Sequence, residues 1–181
     1  MQYPPTHLVV MGVAGSGKTT LAAALSSQLG WACAEADEFH PEANITKMTQ
    51  GIALQDEDRW PWLQEIRTWM TTQAQTGCST VLTCSALKKS YRKLLSEAEG
   101  RVVFLHLDGG ADLIGQRMQG RAGHFMPPTL LPSQLATLEP LSQEELDAGS
   151  LRLDISQSPE QLVAAVVQAL QLPTGQAPCA P

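Results

Sequence analysis

Apolar positions along the chain switch repeatedly between unbroken short runs and a helical spacing. Leu8-Val9-Val10-Met11 is a run of the first kind and reads as a buried strand. A glycine-rich turn follows, and then residues 20–29, where Leu21, Ala24, Leu25 and Leu29 share one helical face. A second strand is predicted over 31–36, ending at Asp37. Pro41 suits the first turn of a helix that runs to Gln50 and stops at Gly51. Asp56 is expected to cap a long helix toward Thr76, its dipole complemented by acidic neighbours. Trp62, Leu63, Ile66, Trp69 and Met70 recur along it at helical spacing and, with Trp60, read as packing; Gly77 ends it. Residues 80–84 are almost continuously apolar or β-branched, as a central parallel strand buried on both faces should be. Residues 85–92 leave that strand and enter a helix. A fourth strand over 101–107, a helix over 111–119, a short helix over 133–137, a fifth strand over 151–155 and an amphipathic helix over 159–172 complete the pattern. Residues 120–132 are rich in glycine and proline and read as a loop long enough to be a functional lid. Residues 173–181 show no periodicity and are expected to be a disordered tail, leaving one domain over 1–172 without internal repeats.

Strands alternating with helices predict an α/β fold: a parallel sheet with helices on both faces, three layers in all. The turn after the first strand sharpens this. Gly12-Val13-Ala14-Gly15-Ser16-Gly17-Lys18-Thr19 lies between a strand and a helix, the setting a phosphate-binding P-loop requires. Its glycines let successive N–H groups point into one concavity, and the helix N-terminus adds positive potential there. Residues Gly12 to Thr20 are therefore expected to line a nucleoside triphosphate. Lys18 would reach the β- and γ-phosphates, and the Thr19 hydroxyl would hold Mg²⁺. By analogy with small P-loop kinases, the five strands are expected in the order 2-3-1-4-5.

Charge changes the picture more than composition does. The chain has 181 residues, 43% of them hydrophobic, and a net charge of −6, which argues against a nucleic-acid binder. No stretch is long and apolar enough to cross a membrane, and no secretory leader is visible, so a cytoplasmic setting is expected. Of 12 Lys and Arg, nine fall in segments around the P-loop, the third-strand exit and the predicted lid: Lys18, Lys47, Arg59, Lys88, Lys89, Arg92, Lys93, Arg117 and Arg121. Such clustering in an acidic protein suggests a cleft for small anions, although Lys89 and Lys93 read as solvated helix cations. The four cysteines lack metal-ligand spacing; Cys33 and Cys84 fall in strands and are expected to be small core residues.

A P-loop can drive a switch, a motor or a phosphoryl transfer. No guanine-reading Asn-Lys-x-Asp segment is present, and the third strand ends Thr83-Cys84-Ser85 without the acid of a motor ATPase. Asp37 at the carboxyl end of the second strand, with a lid-like loop carrying arginines, fits transfer to a small molecule under a closing lid.

The motifs beyond the P-loop are more specific. Asp37 with His40-Pro41-Glu42-Ala43-Asn44 and Lys47-Met48; Gly51, Leu54, Asp56, Asp58-Arg59 and Pro61-Trp62-Leu63; Cys84-Ser85-Ala86-Leu87-Lys88 with Tyr91-Arg92; Arg117, Arg121 and Gly123-His124-Phe125-Met126; and Ser133-Gln134-Leu135 with Thr137-Leu138-Glu139-Pro140 stand in one order over most of the chain to about residue 140. In these segments the chain resembles the gluconokinase family. It departs where the family often has Ser, at Ala14, and Gly, at Ala36. The resemblance implies ATP- and Mg²⁺-dependent phosphorylation of D-gluconate to 6-phosphogluconate, feeding the pentose phosphate or Entner–Doudoroff route, in a homodimer. It implies Lys18, Asp37 and Arg121 as catalytic groups. Asp37 would accept the hydroxyl proton or, with Thr19, serve Mg²⁺. Arg59, Lys88 and Arg92 are the candidate cations for the substrate carboxylate, His40 and His124 would bond its hydroxyls, and Arg117 and Arg121 would divide adenine and phosphate between them. Asp56 and Asp58 would cap the long helix or fix Arg59. A shikimate-type or nucleoside monophosphate kinase is the nearest alternative, but a shikimate-type enzyme should carry Gly-Gly-Gly where Cys84-Ser85-Ala86 stands. A non-catalytic, nucleotide-gated regulator is the alternative of another class, and its hallmark would be loss of Lys18, Thr19 or Asp37.

Overall fold

The structure, a computed structural model, describes residues 4–120 and 131–173. Five strands form one sheet: β1 (Thr6–Met11), β2 (Ala32–Glu35), β3 (Thr80–Thr83), β4 (Arg101–Asp108) and β5 (Leu151–Asp154). All neighbours are parallel, in the expected order β2-β3-β1-β4-β5. The helices are α1 (Lys18–Leu29), α2 (Glu42–Thr49), α3 (Asp56–Gln75), α4 (Lys89–Leu95), α5 (Ala111–Gln119), α6 (Leu131–Thr137), α7 (Gln143–Asp147) and α8 (Pro159–Leu170).

Successive side chains of a strand point to opposite faces, so an unbroken apolar run can feed two cores at once. Leu8 and Val10 of β1, with Val81, Val103 and Leu105, pack against α1, α5 and α8 through Leu21, Leu25, Ile114, Leu162 and Val166. Val9 and Met11, with Leu82 and Phe104, pack against α3 and α4 through Leu63, Ile66, Met70 and Leu95. These are the three layers expected.

Several expectations need correction. Cys33 is exposed and not a core residue, at a position on β2, an edge strand of the sheet. Asp56 is the first residue of α3 and not its cap: Gln55 takes that place, and its N–H donates to the Asp58 carboxylate at 2.9 Å. Neither Asp56 nor Asp58 fixes Arg59; they bond Lys88 and Lys47 instead. A 3-10 turn over Ala36–Phe39 and the five-residue α7 are too short to leave a periodic trace. Helix α6 starts at Leu131 and so includes the last two positions assigned to the loop. The rest of the expected lid, residues 121–130, and positions 174–181 of the expected tail lie outside the described residues.

Register decides where the site forms. Glu35 and Val10 both pair with Thr83, and Met11 pairs with His106. The chain beyond β1 is the P-loop, beyond β2 the Asp37 turn, and beyond β3 the Cys84–Lys88 segment. All three leave the sheet together at its carboxyl edge, where α/β folds gather ligands. The Gly12 N–H, donating to Ser85 O at 3.3 Å, ties two of them directly.

Candidate active site

The P-loop glycines are required by geometry. Gly12 has φ +146°, and a Cβ there would sit 2.9 Å from Ser16 Oγ and 3.1 Å from Leu107 O. Gly15 has φ +78°, and a Cβ would collide with Met118 Cγ at 2.4 Å. The Lys18 ammonium folds back and donates to Gly12 O and Val13 O, at 3.1 Å each. Burial pushes its pKa down, and the charge of Asp37 leads the groups that push it back up, Glu35 among them. Burial also pushes the Cys84 thiol up to about 12, so it stays protonated. Ser16 Oγ is buried inside the loop without a hydrogen-bond partner among the described residues, an orphan that an anion in the cradle would satisfy. The Ala14 N–H is not open: it donates to Gln134 Oε1 of α6 at 2.7 Å.

One side of the loop opens on a cleft of about 270 Å³, lined by Gly17, Thr20, Arg117, Gln157, Pro159 and Leu162, among others. Arg117 is anchored there through Nη2, which donates to Ile155 O at 2.6 Å. The cleft has the mixed polar and apolar lining that a purine base needs beside a phosphate loop.

The wall across from this cleft is built around Trp62. Its indole N–H donates to Ala36 O at 2.7 Å, which pins the turn that carries Asp37. The His40 ring stacks on it, centroids 4.3 Å apart. Asn44, buried, joins His40 Nδ1 at 3.2 Å and donates to Asp58 O at 2.8 Å, locking α2 to the start of α3. Burial pushes the His40 pKa down, Asp37 pushes it up and Arg59 down again; the net lowering leaves a neutral imidazole at pH 7. The Asp37 carboxylate is 91% exposed, and its nearest partner is His40 Nε2 at 3.9 Å, beyond hydrogen-bond range.

Of the three cations expected at the substrate, the structure treats each differently. Arg59 lies 5.9 Å from the Tyr91 ring centre, and its guanidinium makes no hydrogen bond among the described residues. Lys88 is held by both Asp56 oxygens, at 2.9 and 3.0 Å, and Tyr91 also donates to Asp56. The Tyr91 bond, then the Lys88 bond, holds the Asp56 carboxyl below its usual range. Arg92 is placed away from the expected role. It is 1% exposed, and its Nε and Nη2 bind Glu145 while Nη1 binds Ala86 O, so none of its three nitrogens is offered to the cleft. Lys47, another of the nine clustered cations, bonds Asp58 at 2.6 Å. Arg121 and His124 lie outside the described residues.

The structure also adds groups. Glu35 accepts from Thr83 at the ends of β2 and β3 and acts on Lys18 alongside Asp37. Two acids two positions apart at the carboxyl end of a predicted strand were the available signal. Asn44 and Gln134 had none beyond their place in the motifs.

Comparison with known proteins gives consistent findings. The shikimate kinase family model matches residues 14–170. A gluconokinase of Gluconobacter oxydans is 49% identical, over 80% of this chain and 82% of its own. A crystal structure of a sugar kinase from a Janibacter species superposes with a TM-score of 0.87 at 51% identity, covering 93% of this chain and 96% of the other. A crystal structure of a Sinorhizobium meliloti gluconokinase gives 0.80 at 38%, covering 94% of each chain.

Proposed function

The chain belongs to the gluconokinase family, within the shikimate-kinase-like P-loop kinases, and we propose that it transfers the γ-phosphoryl group of Mg²⁺-ATP to the 6-hydroxyl of D-gluconate. One observation carries the choice of acceptor: the wall beside the P-loop presents an unbonded carboxylate, Asp37, and an unbonded guanidinium, Arg59, among the described residues. A polyol with one carboxylate needs a proton acceptor for its reacting hydroxyl and a forked cation for its far end.

In this reading ATP enters the loop and the Lys18 ammonium exchanges the Gly12 and Val13 carbonyls for the β- and γ-phosphates. Arg117 takes the base side, which its place in the 270 Å³ cleft supports. With Arg117 at the base, the transferring phosphate falls to Arg121, and His124 is assigned to the substrate from the sequence. The 6-hydroxyl oxygen forms the new bond to phosphorus as the bond to the ADP oxygen breaks, and its proton passes to Asp37. Arg59 holds the carboxylate, Lys88 adds a positioned point charge, and neutral His40 bonds a hydroxyl. Thr19 and Asp37 fit Mg²⁺: both are exposed oxygen donors without a hydrogen bond among the described residues, suited to a cation that keeps most of its waters. Bound there, the ion would neutralise charge on the β- and γ-phosphates. A homodimer rests on the family resemblance alone; sedimentation of the purified chain tests it.

The deciding experiment couples ADP release to a reporter with gluconate, shikimate or AMP at equal concentration. Turnover on gluconate alone is expected. Turnover on another acceptor with gluconate silent would reassign the Arg59 wall, and silence on all three with ATP still bound would remove the kinase reading. A second expectation isolates the carboxylate contact. Arg59→Ala should raise the gluconate KM about 10- to 100-fold, the range for a charge-assisted hydrogen bond, and move the ATP KM less than about twofold. Equal changes in both constants would place Arg59 outside the gluconate site.

A further inference from the structure

Gln134 reaches from α6 across 120 positions of sequence to accept the Ala14 N–H at 2.7 Å. That donor sits at a particular end of the P-loop. The peptide preceding it ends in Val13 O, which accepts from the Lys18 ammonium at 3.1 Å. The Val13–Ala14 peptide thus has its carbonyl on the lysine and its N–H on Gln134. Since a P-loop lysine serves the β- and γ-phosphates, the Ala14 N–H lies at the γ end, opposite the cleft that Gly17, Thr20 and Arg117 line. An amide oxygen there occupies the N–H as a phosphate oxygen would.

Helix α6 is tied to the acceptor side as well. Glu139, just beyond it, donates its N–H to Leu87 O at 2.8 Å, and its carboxylate accepts the Lys89 N–H. Leu87 and Lys89 flank Lys88, the cation that Asp56 holds. One short element therefore touches the γ end of the nucleotide loop and the backbone around an acceptor-site lysine.

We propose that Gln134 is a γ-phosphate-sensing positioning residue: its amide oxygen holds the Ala14 N–H in the nucleotide-free protein and yields it to the γ-phosphate of ATP, but not to ADP. The inference rests on the reading of the loop as an ATP site. Its consequence is a difference between nucleotides, because only ATP must displace the bond.

The test is calorimetric binding of ADP and of a β,γ-non-hydrolysable ATP analogue, with Mg²⁺ and without gluconate, to the full chain and to Gln134→Ala and Gln134→Glu. Gln134→Ala should tighten the analogue about fivefold, the worth of one net hydrogen bond, and leave ADP within about twofold. Gln134→Glu should weaken the analogue at least about tenfold relative to ADP, because a carboxylate would face the γ-phosphate. A loss of packing at α6 would shift both ligands together. If the analogue-to-ADP ratio of both variants equals that of the parent, the proposal is overturned while the ATP site stands. If the parent binds neither ligand, the ATP reading and the proposal fall together.

Discussion

Asp37→Asn is expected to lower kcat by about 10²- to 10⁴-fold, the usual contribution of a positioned proton acceptor, while ATP binding and thermal stability stay close to those of the parent. The reasoning starts from what Asp37 does not do. At the end of a strand an aspartate often caps the next helix, and its loss then destabilises the fold. Here the residue capping the turn over Ala36–Phe39 is Glu35, the Asp37 side chain is 91% exposed, and its closest partner is a histidine nitrogen 3.9 Å away. The Ala36 corner is held instead by the Trp62 indole, which the substitution leaves in place. Asparagine has nearly the same shape and cannot take a proton at neutral pH. Its static effects are electrostatic: the charge that most strongly raises the Lys18 pKa, and that also raises that of His40, disappears, which removes a repulsion from incoming phosphates. The measurement is a pair: ADP release at saturating substrates, and nucleotide affinity by titration. Turnover within a few-fold of the parent would remove the proton and metal roles from Asp37. A fall in melting temperature with unchanged kcat per folded molecule would assign it to the turn.

The sheet and the phosphate loop were legible because their signals are local. Leu8 to Met11 and Thr80 to Thr83 announce two-sided burial by composition alone, and the loop by glycine spacing before Lys18. Position within the sheet was not local. Cys33 lies in a real strand, and only the strand order reveals that the strand is at the edge of the sheet. Cations were the least legible. The sequence locates nine of them near one site, but a helix rotates each away from its neighbour by about 100°. Arg59, Lys88 and Arg92 look alike in the chain. One proves unbonded, one is held by Asp56, and one is drawn into the core by a glutamate 53 positions on, in a five-residue helix without periodicity. The Gln134 contact with the P-loop had the same problem at greater distance.

Arg92 carries the largest stability effect. Its side chain is buried, Nε reaches Glu145 at 2.6 Å and Nη2 at 3.1 Å, and the remaining donors meet Ala86 O at 3.0 Å and Pro140 O at 3.3 Å. Ala86 has φ +44°, a conformation a non-glycine residue adopts only when held. Arg92→Ala would leave the partly buried Glu145 carboxylate without its cation, open a hole where a buried side chain stood, and release that strained peptide beside the third-strand exit. Breaking such a pair costs about 3–5 kcal/mol, or on the order of 10 °C of melting temperature in a chain of this size. Arg92→Lys should recover little of it, since one ammonium cannot reproduce a fork. Acid should erase the difference. Burial pushes the Glu145 carboxyl up, but the bonds from Arg92 and Ser142 outweigh it and hold the group below its ordinary 4.5. A carboxylate depressed in the folded chain contributes stability that is complete above its unfolded value and disappears as pH falls through the folded one. The gap between parent and Arg92→Ala should therefore be full at pH 7 and narrow below about pH 4.5. At temperatures where both are folded, the gluconate and ATP KM values should move together. A variant that melts with the parent but shows a gluconate KM raised alone would return Arg92 to the substrate, and would require the Glu145 contact to open whenever gluconate binds.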